Sequence, residues 1–134
     1  MLQTTVAVVG ATRVSLDFVE ASKSNDAKLR ALVRHHGHLL RTRVMRRASG
    51  RPGPNVITGD YRRSITVEFY EGDGQFIATV GTNAPQGRRL EFGFHGVDSL
   101  GRLYNQPPLP HFGPAMDETA PGFNAGIALL LEEI

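Results

Sequence analysis

The chain has 134 residues, 40% of them hydrophobic, and a formal net charge of +2, which fits one folded domain spanning residues 1–134. It contains no cysteine, which excludes disulfides and cysteine-ligated zinc sites. No stretch approaches the roughly 20 apolar residues that span a bilayer, and the apolar run at residues 4–9 lacks the basic start of a signal peptide. We therefore expect a soluble protein that makes no membrane contact.

The charges are distributed unevenly along the chain. Residues 1–63 carry 12 Lys and Arg against 4 Asp and Glu, whereas residues 64–134 carry 3 against 9. A subunit of this kind can pair its basic end with the acidic end of a neighbour. Alternatively, the two halves fold together and neutralise each other within one subunit.

The N-terminal segment, residues 1–24, is predicted to be strand. Residues 4–9 are rich in Val and Thr, and Val14, Leu16 and Phe18 alternate with polar residues, which indicates a second short strand. An equally fair interpretation makes residues 14–22 helical.

The clearest helix covers residues 26–48, because its apolar residues recur at intervals of three and four and so share one face. Arg30, Arg34 and Arg41 lie together on a different face. Gly37 interrupts the helix and indicates a slight kink or a close approach of another element. Ser49 and Gly50 should end the helix. The apolar face consists of Leu29, Leu32, Val33, His36, Leu40 and Val44.

Two strands, residues 65–70 and 76–80, are predicted to form a hairpin around a glycine-rich turn at 71–74. Residues 88–92 could form one helical turn. Residues 93–110 are rich in glycine and proline and are predicted to be an extended, exposed loop, which in compact domains is usually functional. A final helix should run from about Pro114 to Glu133, kinked or split at Pro121 and Gly122, with Met116, Phe123, Ile127 and Leu130 or Leu131 on its apolar face.

These elements predict an α+β fold: a small antiparallel sheet, with a long helix from the N-terminal half and a C-terminal helix packed on it. The open edges of such a small sheet invite neighbouring chains.

The sequence offers no convincing catalytic or cofactor-binding residues. His35 and His38 have the spacing of a metal-binding pair on a helix, but no carboxylate lies nearby to complete a site. We expect His36 to be partly buried, and His95 and His111 to be isolated in loops. No nucleophile motif or phosphate-binding loop is present. We therefore expect no enzyme activity, no metal and no cofactor.

The basic segment 41–51 raises a nucleic-acid-binding hypothesis, since arginines bind phosphates well. However, it contains no aromatic residue for base stacking and accompanies no known binding motif. Arginine is also enriched at protein interfaces, and interface use is the preferred interpretation.

Four short motifs occur in order after the basic helix: Thr-Gly-Asp-Tyr-Arg-Arg-Ser-Ile at 58–65, Val-Gly-Thr at 80–82, Leu-Glu-Phe-Gly at 90–93, and Pro-Leu-Pro-His-Phe-Gly-Pro-Ala-Met-Asp at 108–117. Together they resemble the tail-completion (neck) family of long-tailed phages, the relatives of minor tail protein Z. The resemblance covers about residues 26–133. It departs at Tyr61, where the family usually has Leu, and at His111-Phe112-Gly113, where Pro-Phe-Leu is commoner.

The residues that match the family motifs are expected to be structural. Gly59 and Gly93 can adopt positive φ at turns, and Pro114 can start a helix where a missing N–H is harmless. Glu91 could join an ion pair within or between subunits. The full set is Gly59, Arg62, Ser64, Ile65, Gly81, Glu91, Gly93, Phe112, Pro114 and Ala115.

The resemblance implies a virion protein assembled in the host bacterial cytoplasm. It would form a closed ring, a hexamer being expected, between the head connector and the tail terminator or tail tube. Genomic DNA would pass through its channel without sequence-specific binding. Arg30, Arg34 and Arg41 are candidates for the ring contact or the channel wall. The alternatives are a tail-terminator ring that caps the tube, and a small basic nucleic-acid-binding protein.

Overall fold

The computed structural model describes residues 3–8, 13–19, 26–56, 58–72, 75–97 and 99–132. Within these residues the chain forms, in order, β1 (Gln3–Val8), β2 (Arg13–Val19), α1 (Asp26–Arg47), α2 (Asp60–Arg63), β3 (Thr66–Gly72), β4 (Gln75–Gly81), α3 (Gly87–Phe92), β5 (Phe94–Val97), β6 (Leu103–Gln106) and α4 (Phe112–Glu132).

The main sheet has four antiparallel strands in the order β1-β2-β4-β3. Its register places Arg13 of β2 and Thr66 of β3 on either side of Gly81 in the central strand β4. The predicted hairpin of β3 and β4 is confirmed, although its turn at Asp73 and Gly74 lies outside the described residues. The N-terminal strands are also confirmed. The helical alternative for residues 14–22 is wrong over Arg13–Val19, since β2 hydrogen-bonds to strands on both sides.

The long helix α1 packs on the sheet, mainly on β4, and lies alongside α4, which also contacts β1 and β2. It supplies much of the core. Leu29, Val33, Leu40 and Val44 of its predicted apolar face are buried. Gly37 allows close packing, because a Cβ there would lie 2.7 Å from Cβ of Ala78 and 2.8 Å from Cε1 of Phe69. The helix ends as predicted, just before Gly50, which has a φ of 134°.

Helix α4 is continuous from Phe112 to Glu132 in spite of Pro121. Of the two alternatives predicted at Pro121 and Gly122, the split is therefore wrong, and the kink stays a prediction. Pro121 is exposed, while Met116 and Phe123 on either side of it are buried. Packing on both sides holds the helix together where proline removes one hydrogen bond.

Residues 93–110 are not wholly loop, which corrects the prediction. Their glycines and prolines flank a second, two-stranded antiparallel sheet of β5 and β6, with Phe94 opposite Gln106 and Val97 opposite Leu103. The prediction failed because only four residues on each side pair, too few to give a clear alternating pattern.

The predicted α+β class is confirmed: helices α1 and α4 cover one face of a small antiparallel sheet. The helical turn expected at residues 88–92 is confirmed as α3. The short helix α2 was not predicted, because its four residues are too few to show a helical period.

Candidate functional site

Glu91, one of the motif residues, caps the N-terminus of α4. Its Oε1 accepts hydrogen bonds from the backbone N–H groups of His111 and Phe112, both at 2.8 Å, and its Oε2 accepts one from Gly113 at 3.1 Å. The next residue, Pro114, has no N–H. One carboxylate therefore satisfies every backbone donor of the first turn that lacks a partner within the helix, and its charge favours the positive end of the helix dipole.

Glu91 is thus a buried helix cap, a role that the sequence did not predict. Its side chain is only 6% exposed, and besides the backbone N–H groups, Nδ1 of His111 lies 3.1 Å from its Oε1. Gly93, two residues after Glu91, has a φ of 81°, and a Cβ there would lie 2.8 Å from the carbonyl oxygen of Gln106. Glycine at this position lets the chain turn away at the C-terminal end of α3.

His111 was expected to be isolated in a loop, but it is fully buried. Its Nδ1 lies 2.9 Å from the carbonyl oxygen of Leu109, and its Nε2 lies 2.6 Å from the hydroxyl of Tyr61. Burial lowers the pKa of His111, outweighing the opposing effects of the Leu109 carbonyl and Glu91. The neutral ring then donates from Nδ1 and accepts from Tyr61 at Nε2.

Burial also raises the pKa of Tyr61 well above its ordinary value, with a contribution from Glu91. Tyr61 therefore stays protonated and donates its hydrogen to His111. The atoms of Glu91, His111 and Tyr61 that could exchange protons are engaged in holding α2, α3 and α4 together, so the cluster acts as a structural clamp. We call these three residues the clamp.

The remaining motif residues surround the clamp. Gly59 precedes α2 with a φ of 84°, Arg62 donates to Oγ of Ser49 at 2.9 Å, and Ser64 shares a 2.6 Å hydrogen bond with the hydroxyl of Thr82. Pro114 lies in the first turn of α4, as expected. The other four are buried: Ile65, Gly81, Phe112 and Ala115.

A cleft of about 560 Å³ opens beside the clamp, between the segment 48–62 and the region of α3. Val56, Leu90 and Leu109 line it with apolar side chains. Arg51 and Arg62 add two positive charges to the lining, against one negative charge from Asp60, which pairs with Arg63. Tyr61 belongs both to the clamp and to the cleft lining. The cleft is thus built on the residues that carry the family motifs.

The three arginines proposed for the ring contact all face β3 or its start. Arg30 and Arg34 both pair with Glu71, at 2.9 and 3.3 Å. Nε of Arg41 donates to the carbonyl oxygen of Ile65 at 2.9 Å. Arg30 and Arg34 are about half exposed, and their two positive charges face the single negative charge of Glu71. Arg41 is half-buried, and its hydrogen bond joins α1 to the residue before β3.

A second group of arginines surrounds Glu118 of α4. Arg43, Arg46 and Arg47 lie 3.4, 2.8 and 3.1 Å from its carboxylate oxygens. These cations, with Arg46 and Arg47 hydrogen-bonding directly, lower the pKa of Glu118. Three positive charges share one negative charge, so this end of α1, close to Arg51 and Arg62, keeps an excess of positive charge.

The histidines of α1 form no metal site, and the part of the chain that the structure describes contains no cluster of three or more potential metal ligands. His36 is partly buried, as expected, and contacts Phe123 edge-on. His95 lies exposed on β5. In the same described part, no helix is both long and apolar enough to cross a membrane.

The sequence offered no signal for the pairing of Tyr61 with His111, which are 50 positions apart. It offered only a weak signal for the cleft, whose lining comes from three separate segments. The position of Glu91 was identified through its motif, but its role was not. A carboxylate that caps a helix twenty residues later leaves no local pattern.

A family model described as "Bacteriophage HK97-gp10, putative tail-component" matches residues 14–93. No significant match was found among curated proteins or among solved structures. The matched region covers more than half of the chain and extends from β2 through α1 and the central hairpin to Glu91 and Gly93. The motif-based resemblance to a family of tailed-phage proteins is confirmed, and the chain belongs to the HK97-gp10-like family of bacteriophage tail components.

Proposed function

We propose that this phage tail component is a ring-forming subunit of the neck, where it completes the tail or connector and allows the head and tail to join. The observation that carries the proposal is the family match over residues 14–93, supported by the motif at 108–117, which extends the resemblance beyond that range. Its partners would be further copies of itself, as a closed hexamer, together with the head connector and the tail terminator or tail tube.

The geometry supports a role in assembly rather than catalysis. The motif residues hold helices and strands in place: Glu91 caps α4, and Tyr61 binds His111. Such a rigid frame can present a cleft and charged ends to neighbouring subunits, and closed rings are built from two different faces of each subunit. We infer that the protein has no enzyme activity.

Arg30 and Arg34 remain our candidates for a ring contact or a channel wall. Glu71 neutralises one of their two charges, which leaves an exposed positive charge available to a neighbour. Arg41 is a weaker candidate, since its guanidinium binds the Ile65 carbonyl. DNA would pass through the ring without sequence-specific contacts.

The arginines also bear on the nucleic-acid-binding alternative. Those around Glu118 and Glu71 are engaged with carboxylates of the same chain, and phosphates would have to compete with these pairs. Interface use is therefore the better supported interpretation.

Immunogold labelling of purified virions tests the location. The proposal expects label at the junction of head and tail and in the virion fraction. Label along the tube or at the distal tip of the tail, or its absence from virions, would contradict a neck position. Label at the junction is also expected for a tail terminator. The length of tails made without the protein distinguishes the two roles, because loss of a terminator gives overlong tubes and loss of a completion protein gives tails of normal length.

A further inference from the structure

The two ends of the molecule differ in charge and shape. Helix α4 runs antiparallel to α1: Glu118 lies near Arg46 and Arg47, while Gly126 lies near Leu32. The cleft and the arginines around Glu118 therefore occupy one end, and the last turn of α4 lies at the other. A helix of this length spans about 30 Å, so the last turn of α4 is far from the cleft of its own chain.

The last turn of α4 carries exposed apolar and acidic groups. Leu129 is 64% exposed, Glu132 is exposed, and in the sequence Glu133 follows. An exposed leucine beside acidic residues matches a cleft that combines Val56, Leu90 and Leu109 with a net positive charge, since Arg51 and Arg62 outnumber Asp60 in its lining. The apolar groups would leave water together, and the charges are complementary.

We propose that the cleft of one copy binds the C-terminal turn of α4, around Leu129 and Glu132, from a second copy of this chain. This inference rests on the proposed ring and names its subunit contact. Each subunit carries both halves at opposite ends, so the contact is head-to-tail and repeats until the ring closes. The contact would also pair basic residues from the N-terminal half of one chain with acidic residues from the C-terminal half of the next chain.

The hairpin of β5 and β6 is the rival occupant of the cleft. Its exposed apolar residues are Val97, Leu100 and Leu103, at 59%, 75% and 87%. Its sequence between Phe94 and Gln106 carries one Asp and one Arg, however, and offers no net negative charge to Arg51 and Arg62. Charge complementarity therefore favours α4.

Cross-linking between two single-cysteine variants tests the contact, because the native chain contains no cysteine. Val56→Cys and Leu129→Cys, mixed and oxidised mildly, should give a disulfide-linked dimer of two different chains. The control mixture replaces the second variant with Leu100→Cys and should give much less. Cross-linking of Val56→Cys to Leu100→Cys instead would assign the cleft to the hairpin and overturn the proposal.

A charge exchange provides a second readout that does not depend on disulfide geometry. Arg62→Glu should weaken self-association by about fivefold, measured by analytical ultracentrifugation, and adding Glu132→Arg should restore it. Adding Glu68→Arg, which places the same new charge on β3, should not. If rings form but neither the cross-link nor the rescue is observed, this contact is wrong, whereas the proposed ring assembly still stands. A chain that stays monomeric at all concentrations would overturn it as well, while neck labelling still tests the proposed location independently.

Discussion

The hydroxyl of Tyr61 and Nε2 of His111 lie 2.6 Å apart, inside the region that joins α2 to the start of α4. Tyr61 and His111 are two of the three positions at which the motifs depart from the pattern expected from their resemblance to the tail-completion family, and Gly113 is the third. A tyrosine or a histidine alone would bury a polar atom without a partner, which costs about 1–3 kcal/mol. Together, each side chain supplies the hydrogen-bond partner of the other.

A double-mutant cycle tests that linkage. Tyr61→Leu and His111→Pro should each destabilise the fold, but the double variant should lose less than the sum, with a coupling of about 1–2 kcal/mol. The loss of the His111 N–H bond to Glu91 occurs with or without Tyr61, so it cancels in the cycle. Urea denaturation of the four proteins supplies the values, and additive losses would show that the pair is not coupled.

Removal of the Glu91 carboxylate should be among the most damaging single changes in the chain. Glu91→Ala leaves three backbone donors near the start of α4 without their acceptor, and we expect a loss of about 2–4 kcal/mol. Each kcal/mol of lost stability lowers Tm by about 4 °C in a domain of this size, so calorimetry should record a clear fall in Tm. Glu91→Gln, which keeps an acceptor oxygen, should lose less.

Glu68→Gln is the matched control for Glu91, since Glu68 is exposed on β3. It should change stability by less than about 0.5 kcal/mol. Equal losses for the two positions would mean that the capping contacts contribute nothing specific.

Two helical glycines should respond in opposite directions to alanine. Gly37→Ala gains helix propensity, about 1 kcal/mol, but pushes a Cβ to within 2.7 Å of Ala78 and 2.8 Å of Phe69, and overpacking of this kind costs about 1–3 kcal/mol. Gly122→Ala meets only His36, at 3.6 Å, on an exposed position, and should be stabilising. Thermal melts of both variants check the signs. A stabilising Gly37→Ala would contradict the close packing of α1 on the sheet.

Stability should fall on mild acidification. Burial lowers the pKa of His111 and of His36 below the ordinary value of 6.5, so below that pH the unfolded chain binds protons that the folded chain does not. The free energy of unfolding then decreases as pH falls, by up to about 1.4 kcal/mol per pH unit for His111. The lowered pKa values of Glu71 and Glu118 act in the same direction, but only below their ordinary value of 4.5.

Denaturation curves between about pH 7.5 and pH 5 therefore isolate the histidines. His111→Gln should flatten the dependence of stability on pH. His95→Gln, at an exposed position on β5, should leave it unchanged. A wild-type stability that is constant over this range would contradict the buried neutral state of His111.

Helix α1 could be predicted from sequence because its buried residues recur with the helical period over six turns, and the β3–β4 hairpin because its two strands flank a glycine-rich turn. The clamp could not, since Tyr61, Glu91 and His111 belong to three different elements and meet only through tertiary packing. Residues 93–110 misled the prediction because glycine and proline at the ends of β5 and β6 hid strands of four residues each. The motifs identified the residues of the candidate site, and the tertiary packing showed which contacts those residues make.

The most direct test of the head–tail joining role is electron microscopy of lysates from a phage that lacks this gene. The account predicts full heads lying beside separate tails of normal length, with joining restored when the gene is supplied from a plasmid. Overlong tubes would instead assign the protein to tail termination, and intact infectious virions would contradict the neck function.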